Sequence, residues 1–260
     1  MKAIFIIGYG SNEPDAQNIM KLQVDKLTQG RTYPVYYAFT RVNSPSVPEA
    51  LGKMAEDGVD EAAVVPLIVS DSTVSTEAIP GMLGITYPEG TVDVNGKKIR
   101  LIMTPAVGTS PGVVDIFLRD IAENNGKKST PVMVVGHGSK DPRNPATVRA
   151  VADALQDKGF EHVLVCFNEF SEPPVEEAFA KALDLADDLI LVMPMFMAGG
   201  VHITRDIPPK IGIAEREKLG CIDHDGKKVM VVLAPCIGHD PMFADVILSR
   251  ANEALKENRA

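Results

Sequence analysis

The sequence predicts an α/β protein made of two duplicated, doubly wound lobes with mainly parallel sheets. Three observations carry this. The chain matches itself at a fixed offset, each copy alternates apolar strands with helical patterns, and each copy's first strand ends in a Gly-x-Gly-Ser loop. Shifted by 128 positions, Ile7-Gly8-Tyr9-Gly10-Ser11 falls on Val135-Gly136-His137-Gly138-Ser139. Pro45 falls on Pro173, Glu49-Ala50 on Glu177-Ala178, Pro66 on Pro194, Ile79-Pro80 on Ile207-Pro208 and Gly84 on Gly212, without a gap. Two extra residues then move the offset to 130, and Asn95-Gly96-Lys97-Lys98 matches Asp225-Gly226-Lys227-Lys228. The expected domains are residues 1–126 and 127–260, with the hydrophilic stretch 123–128 as linker.

Element by element, each copy opens with a buried strand, Ala3–Ile7 or Val132–Val135. A helix is expected over Asn18–Thr28 and Ala146–Lys158, and a second strand over Val35–Phe39 and His162–Phe167. The next helix covers Val47–Glu56 and Val175–Ala186, and a third strand runs to Pro66 or Pro194. An Asn-Gly or Asp-Gly turn precedes a fourth strand, and a helix closes the copy. In parallel sheets of this kind ligands sit beyond the carboxyl ends of the strands. The loops 136–143, 168–173 and 198–206 all begin there, so they are expected to converge on one crevice.

Composition narrows the function classes. Of 260 residues, 45% are hydrophobic and 23% charged, which predicts a packed core rather than disorder. No apolar run approaches the length of a membrane span, and the short run after Lys2 lacks the length and cleavage site of a signal peptide. A cytoplasmic protein without membrane partners is expected. The net charge of −9 argues against nucleic acid, which needs a basic face. Cys166, Cys221 and Cys236 are odd in number and lack CxxC spacing, which argues against a disulfide framework or a thiolate zinc site.

The differences between the copies point at chemistry. A duplicated fold needs its packing residues twice and its reactive groups once. Tyr9 stands where His137 stands, Val74 where His202 stands and Arg41 where Glu169 stands, while Asp71-Ser72 replaces Gly199-Gly200. His137, His202 and Glu169 thus form a candidate set, with Glu172 a competing carboxylate in the same loop. Two imidazoles and a carboxylate suit a borderline divalent ion such as Co²⁺, Ni²⁺, Fe²⁺ or Zn²⁺ and also accept protons. A helix-capping histidine and a solvated glutamate are the plainer alternatives. Met193, Met195 and Met197 alternate as one strand face and read as core, while His162 and His224 read as structural or exposed. His239 follows the fourth strand and is a possible accessory. Ser139 invites a hydrolase reading, but Ser11 keeps that serine in the copy without histidines, and no Walker-type lysine follows either glycine loop.

Over residues 135–143 and 194–208 the sequence resembles the CbiX/SirB (class II) sirohydrochlorin chelatases, a lyase family, in the two-domain form. The second half matches closely and the first as a degenerate copy, and Glu169 matches the family's acidic position. The resemblance implies ATP-independent insertion of Co²⁺, Ni²⁺ or Fe²⁺ into a sirohydrochlorin-type tetrapyrrole held in the cleft between two lobes. Such chemistry serves cobalamin, sirohaem or nickel-tetrapyrrole biosynthesis. His137, His202 and Glu169 are then the catalytic and metal residues. Ser139, Lys140, Arg143, Gly199, Gly200, Arg205 and Tyr9 are the substrate-binding candidates. The metal enters as substrate, with no permanently bound cofactor, and the chain is expected to be a monomer or weak homo-oligomer. Two-domain relatives can carry the histidine pair in the first copy; here it lies in the second. A non-catalytic metal chaperone or sensor using the same histidines is the alternative.

Overall fold

A computed structural model describes residues 1–30 and 33–256. Among them lie ten strands. The first sheet has the order β2-β1-β3-β5-β4 and the second β7-β6-β8-β10-β9. In the first copy β1 (Lys2–Gly8), β2 (Val35–Phe39), β3 (Glu61–Pro66), β4 (Glu89–Val94) and β5 (Lys97–Met103) alternate with α1 (Asp15–Gly30), α2 (Val47–Glu56) and α3 (Ile79–Leu83), and α4 (Gly112–Glu123) follows. The second copy repeats this with β6 (Val132–Gly136), α5 (Arg143–Asp157), β7 (Val163–Phe167), α6 (Val175–Leu185), β8 (Leu189–Pro194), α7 (Ile207–Lys210), β9 (Leu219–His224), β10 (Lys227–Leu233) and α8 (Phe243–Lys256).

Pairing is parallel except within the two hairpins, β4–β5 and β9–β10. Both hairpin turns place two consecutive residues at positive φ: Asn95 at 54° with Gly96 at 81°, and Asp225 at 51° with Gly226 at 77°. Asn-Gly and Asp-Gly tolerate that conformation, which matches the twist of the flanking strands. The central strands β1, β3, β6 and β8 are buried almost throughout, as expected of strands covered on both faces. The edge strands β4 and β9 alternate exposed and half-buried residues.

The sequence expectation of four strands per copy is corrected here to five. The missing arm is the first strand of each hairpin. Its half-buried alternation is carried in β4 mainly by Val92 and Val94 among polar neighbours, a weak apolar signal. A second correction concerns the segment after β3 and β8. Val74–Ala78 and His202–Asp206 are π-helical turns leading into α3 and α7, so His202 sits at the start of a helical turn and not in a loop.

The chain divides into two compact units, Met1–Gly112 with Pro241–Ala260, and Val113–Asp240. The repeats and the units therefore have different boundaries. The expected division at 126/127 follows the sequence repeat, whereas the last helix of each repeat packs in the other unit. In unit 1, α8 lies against α1, β3 and β5, and the Lys2 ammonium donates to the Leu255 carbonyl at 2.9 Å. In unit 2, a side chain added at Gly126 would meet Ile121 of α4 and Leu191 of β8. The stretch 123–128, expected to be an interdomain linker, is thus packed inside unit 2. Each unit has its own core, one around Phe5, Ile7, Met54, Val64 and Leu101, the other around Val135, Phe179, Val192, Ile207 and Val231. Met193 and Met195 are 1% exposed, consistent with their reading as core, whereas Met197 is half-buried, and both Met195 and Met197 lie beyond the end of β8. Cys166 is buried, and burial pushes its thiol pKa up to about 12. No helix among the described residues is long and apolar enough to cross a membrane.

One buried charge in unit 2 has a testable consequence. Asp120 of α4 is 7% exposed, and its pKa is raised to about 6, first by burial and second by the neighbouring Asp240 carboxylate. Arg119 pairs with Asp240 and lies 3.7 Å from Asp120, which only partly offsets this. The folded chain holds the Asp120 proton more tightly than the unfolded chain does. This group's contribution to stability therefore falls as pH rises from about 4 to about 6 and stays low above that. Asp120→Asn removes the penalty. The variant is expected to gain on the order of 2 kcal/mol over the parent at pH 7 and almost nothing at pH 4. Denaturant midpoints across that range check this; parallel profiles for the two proteins would contradict it.

Candidate metal centre

The site is built at the carboxyl ends of β6, β7 and β8. His137 follows Gly136, the last residue of β6. The chain beyond β7 is stitched to it by two backbone bonds, Asn168 N–H to the Gly136 carbonyl and Glu169 N–H to the His137 carbonyl, both 2.9 Å. Gly138 adopts φ 88°, and a Cβ there would collide with the Glu169 carbonyl oxygen. The glycine after His137 is thus required for the two loops to close on one another. Beyond β8 the chain passes Phe196 and the Gly199-Gly200 pair. The Gly200 carbonyl then accepts from the N–H groups of Ile203 and Thr204 and from the Thr204 hydroxyl, all at 3.1 Å. This anchors the π-helical turn, whose wide repeat is closed by Ile207 N–H on the His202 carbonyl. Such turns are frequent at functional sites. Here, however, the copy with Val74 has the same turn, so the turn belongs to the fold and the histidine to the chemistry.

The two histidines meet. Nε2 of His137 lies 3.2 Å from Nε2 of His202, with the rings nearly perpendicular at 86°. Each ring is held by its other nitrogen. His137 Nδ1 lies 3.0 Å from the Gly138 carbonyl, and His202 Nδ1 lies 2.6 Å from Asp206 Oδ2. The Gly138 carbonyl only accepts, so His137 Nδ1 donates and its Nε2 keeps a lone pair, while His202 Nδ1 lies between an acceptor, Asp206, and a donor, the Asn168 amide nitrogen at 3.1 Å. A proton or a metal ion shared by the two Nε2 atoms would hold them this close. His137 and His202, with their Nε2 atoms 3.2 Å apart, would hold a divalent ion together, each supplying one imidazole nitrogen. Glu169 Oε1 lies 3.9 Å from His202 Nδ1, and Glu169, His202 and Asp206 bring their ligand atoms within 4.8 Å of one another. The carboxylates thus gather on the Nδ1 side of His202, and the open nitrogen pair is on the other.

Two aromatic rings wall the pair. Phe196 is 8% exposed, with its ring centroid 6.0 Å from that of His137 and 6.4 Å from that of His202. Phe170 stacks near-parallel on His137 at 6.2 Å, is 64% exposed and holds φ at 56°. Phe170, Phe196, Asn168 and Lys210 were not singled out from the sequence. Comparing the copies could have found them, since Val42, Ile68, Thr40 and Met82 stand in their places.

The remaining candidates are placed differently. The Ser139 hydroxyl accepts from Asp141 N–H at 3.0 Å, as Ser11 accepts from Glu13 N–H at 3.1 Å, so this serine holds the same turn in both copies. Arg143 is forked on Asp141 at 2.6–3.1 Å. Lys140 and Arg205 are exposed. Tyr9 lies in unit 1, 49% exposed, with the Arg41 guanidinium 4.0 Å from its ring centroid. His239 ends a single tight helical turn after β10, and His224 lies 3.0 Å from Asp184.

Comparison with known proteins agrees with this duplicated architecture. The CbiX family model matches residues 3–124 and again 131–254. A sirohydrochlorin cobaltochelatase of Methanosarcina acetivorans is 39% identical over 127 residues, which is 48% of this chain and 95% of that protein. One from Saccharolobus solfataricus is 35% identical over 49% of this chain and 97% of its own length. Among solved structures, SirB from Bacillus subtilis with Fe³⁺ superposes with a TM-score of 0.77 at 20% identity, covering 99% of this chain and 98% of that one. CbiX, described as the terminal enzyme of sirohaem biosynthesis in denitrifying bacteria, gives 0.63 at 19% identity, covering 99% and 100%. These structures share the fold. With one match to the family model in each half, the chain belongs to the CbiX family.

Proposed function

We propose that this chain inserts a divalent metal ion, Co²⁺, Ni²⁺ or Fe²⁺, into a sirohydrochlorin-type tetrapyrrole without ATP. The observation that carries the reading is the pair of Nε2 atoms 3.2 Å apart, with each ring held through its Nδ1. The relatives named as sirohydrochlorin cobaltochelatases support the substrate class. Insertion exchanges one M²⁺ for two pyrrole N–H protons, so the site must strip water from the ion and carry two protons away. His137 and His202 replace part of the ion's water shell. Glu169, half-exposed beside them, accepts a proton and passes it to solvent. Phe170 and Phe196 line the approach with apolar surface, on which the flat face of the macrocycle packs. Lys140 and Arg205 are assigned to the ring's carboxylates.

Anaerobic absorbance assays with sirohydrochlorin and each metal test this. The expected result is conversion to the metallated spectrum without ATP. Tight metal binding with no conversion would overturn the reading and leave a metal carrier.

A further inference from the structure

The first copy has lost the metal ligands at its strand ends, yet it keeps a built arrangement there. Tyr9, just past β1, stands where His137 stands, and Arg41, just past β2, stands where Glu169 stands. The two side chains meet: the Arg41 guanidinium lies 4.0 Å from the centroid of the Tyr9 ring, and both residues are exposed. The backbone that carries them is held tightly. The Tyr9 carbonyl accepts from the Thr40 hydroxyl at 2.8 Å, and Thr40 N–H donates to the Gly8 carbonyl at 2.9 Å. Gly10 holds φ at 82°, and a Cβ there would collide with the Arg41 carbonyl oxygen, which accepts from Asn43 N–H at 2.7 Å. Asn43 Oδ1 in turn accepts from Ser11 N–H at 2.7 Å. Val42 sits between at φ 65°, a conformation that a β-branched residue adopts only where its surroundings impose it. Among the described residues, no carboxylate pairs with Arg41.

We propose that the carboxyl ends of β1 and β2 form a carboxylate-binding site, in which Arg41 takes the anion and Tyr9 holds the guanidinium in place. A cation set over an aromatic ring is fixed without spending its N–H donors, which stay at the edge of the guanidinium plane. One guanidinium matches one carboxylate both in charge and in its two-pronged geometry. The position is also where ligands collect in parallel sheets, beyond the carboxyl ends of adjacent strands. The same two positions thus offer a cation-binding set in one copy and an anion-binding set in the other. Two sources of the carboxylate share this chemistry: a side chain of the tetrapyrrole, and a small free polycarboxylic acid. The tetrapyrrole is the expected source, and that part rests on the metal-insertion reading; the carboxylate site itself does not.

Equilibrium binding to the full chain tests this, with metal-free sirohydrochlorin and citrate as the two probes. Arg41→Met is expected to weaken sirohydrochlorin binding by about 5–20-fold, the range of an exposed but two-pronged ion pair. Arg41→Glu, which installs the second copy's residue, is expected to weaken it further. Arg41→Lys keeps the charge without the planar fork and is expected to fall between the parent and Arg41→Met. Tyr9→Leu removes the ring beneath the guanidinium and is expected to cost about 2–5-fold. Co²⁺ affinity is expected to stay within about twofold of the parent in all four, because the second copy sets it. Sirohydrochlorin with its carboxylates methyl-esterified is expected to bind the parent and Arg41→Met alike. Citrate binding that depends on Arg41, with sirohydrochlorin binding that does not, would uphold the site and assign it to a free acid. An Arg41→Met chain that binds both probes as the parent does would overturn the inference, as would a parent that binds neither. An equal loss with the ester would also overturn it, since Arg41 would then act by packing. Arg41-dependent binding of sirohydrochlorin without conversion to the metallated ring would remove the insertion reading and leave the carboxylate site standing.

Discussion

Replacing His137 or His202 with alanine is expected to lower metal insertion by about a hundredfold or more while leaving the fold intact. The magnitude follows from position. Loss of a group that merely orients a metal ligand costs about 10–100-fold, and loss of the ligand itself costs at least as much. The nitrogen pair also works as a unit. A single imidazole at this site offers one lone pair, and the other nitrogen of each ring is already bonded to Gly138 or Asp206. The fold should survive because neither ring belongs to a buried core: His137 is half-buried and the His202 side chain is 33% exposed. The combined variant should be little worse than either single one, since each alone already breaks the bridge. Near-parental turnover at limiting metal in either variant would show that the ion is held elsewhere.

The second large effect concerns where the chain is cut. A fragment 127–260 follows the sequence repeat but lacks α4, whereas a fragment 113–240 contains the whole of unit 2. Val113, Ile116 and Phe117 of α4 are 0% exposed and Ile121 is 1% exposed. Burying such side chains stabilises by about 1.5–3 kcal/mol each. The four together are worth about 6–12 kcal/mol, comparable to the whole stability of a typical domain. Fragment 127–260 is therefore expected to be unfolded, or to recover structure only by associating. Fragment 113–240 is expected to unfold cooperatively and to bind Co²⁺. Circular dichroism and sedimentation of the two fragments decide this. A monomeric 127–260 as stable as 113–240 would contradict the exchange of terminal helices.

That exchange also shows where sequence reading stops. The repeat register identified equivalent elements because packing residues such as Pro66 and Pro194, or Gly84 and Gly212, recur at one spacing. Register says which helix corresponds to which, and nothing about which sheet a helix joins, since α4 and α8 present apolar faces of the same kind. The central strands were legible because burial on both faces leaves continuous apolar runs. The first hairpin arms were not, because an edge strand buries only one face. Within the site, His137, His202 and Glu169 stood out because their counterparts Tyr9, Val74 and Arg41 cannot do the same chemistry. Asn168 and Lys210 did not, because they meet behind His202 only when the fold brings them together across 42 positions. The π-helical turn was hidden for a related reason. Its closing bond, from Ile207 N–H to the His202 carbonyl, is a geometric fact that Pro208 and Pro209 immediately beyond it obscure in the sequence.

Metal chemistry is assigned to the second copy alone. The first copy keeps the strands, the glycine loop and the π-helical turn, but offers Tyr9, Val74 and Arg41 where a ligand set would stand. Calorimetric titration of the intact chain with Co²⁺ under anaerobic conditions tests this most directly. One high-affinity site per chain is expected, abolished by His202→Ala; two equivalent high-affinity sites per chain would contradict the assignment to the second copy.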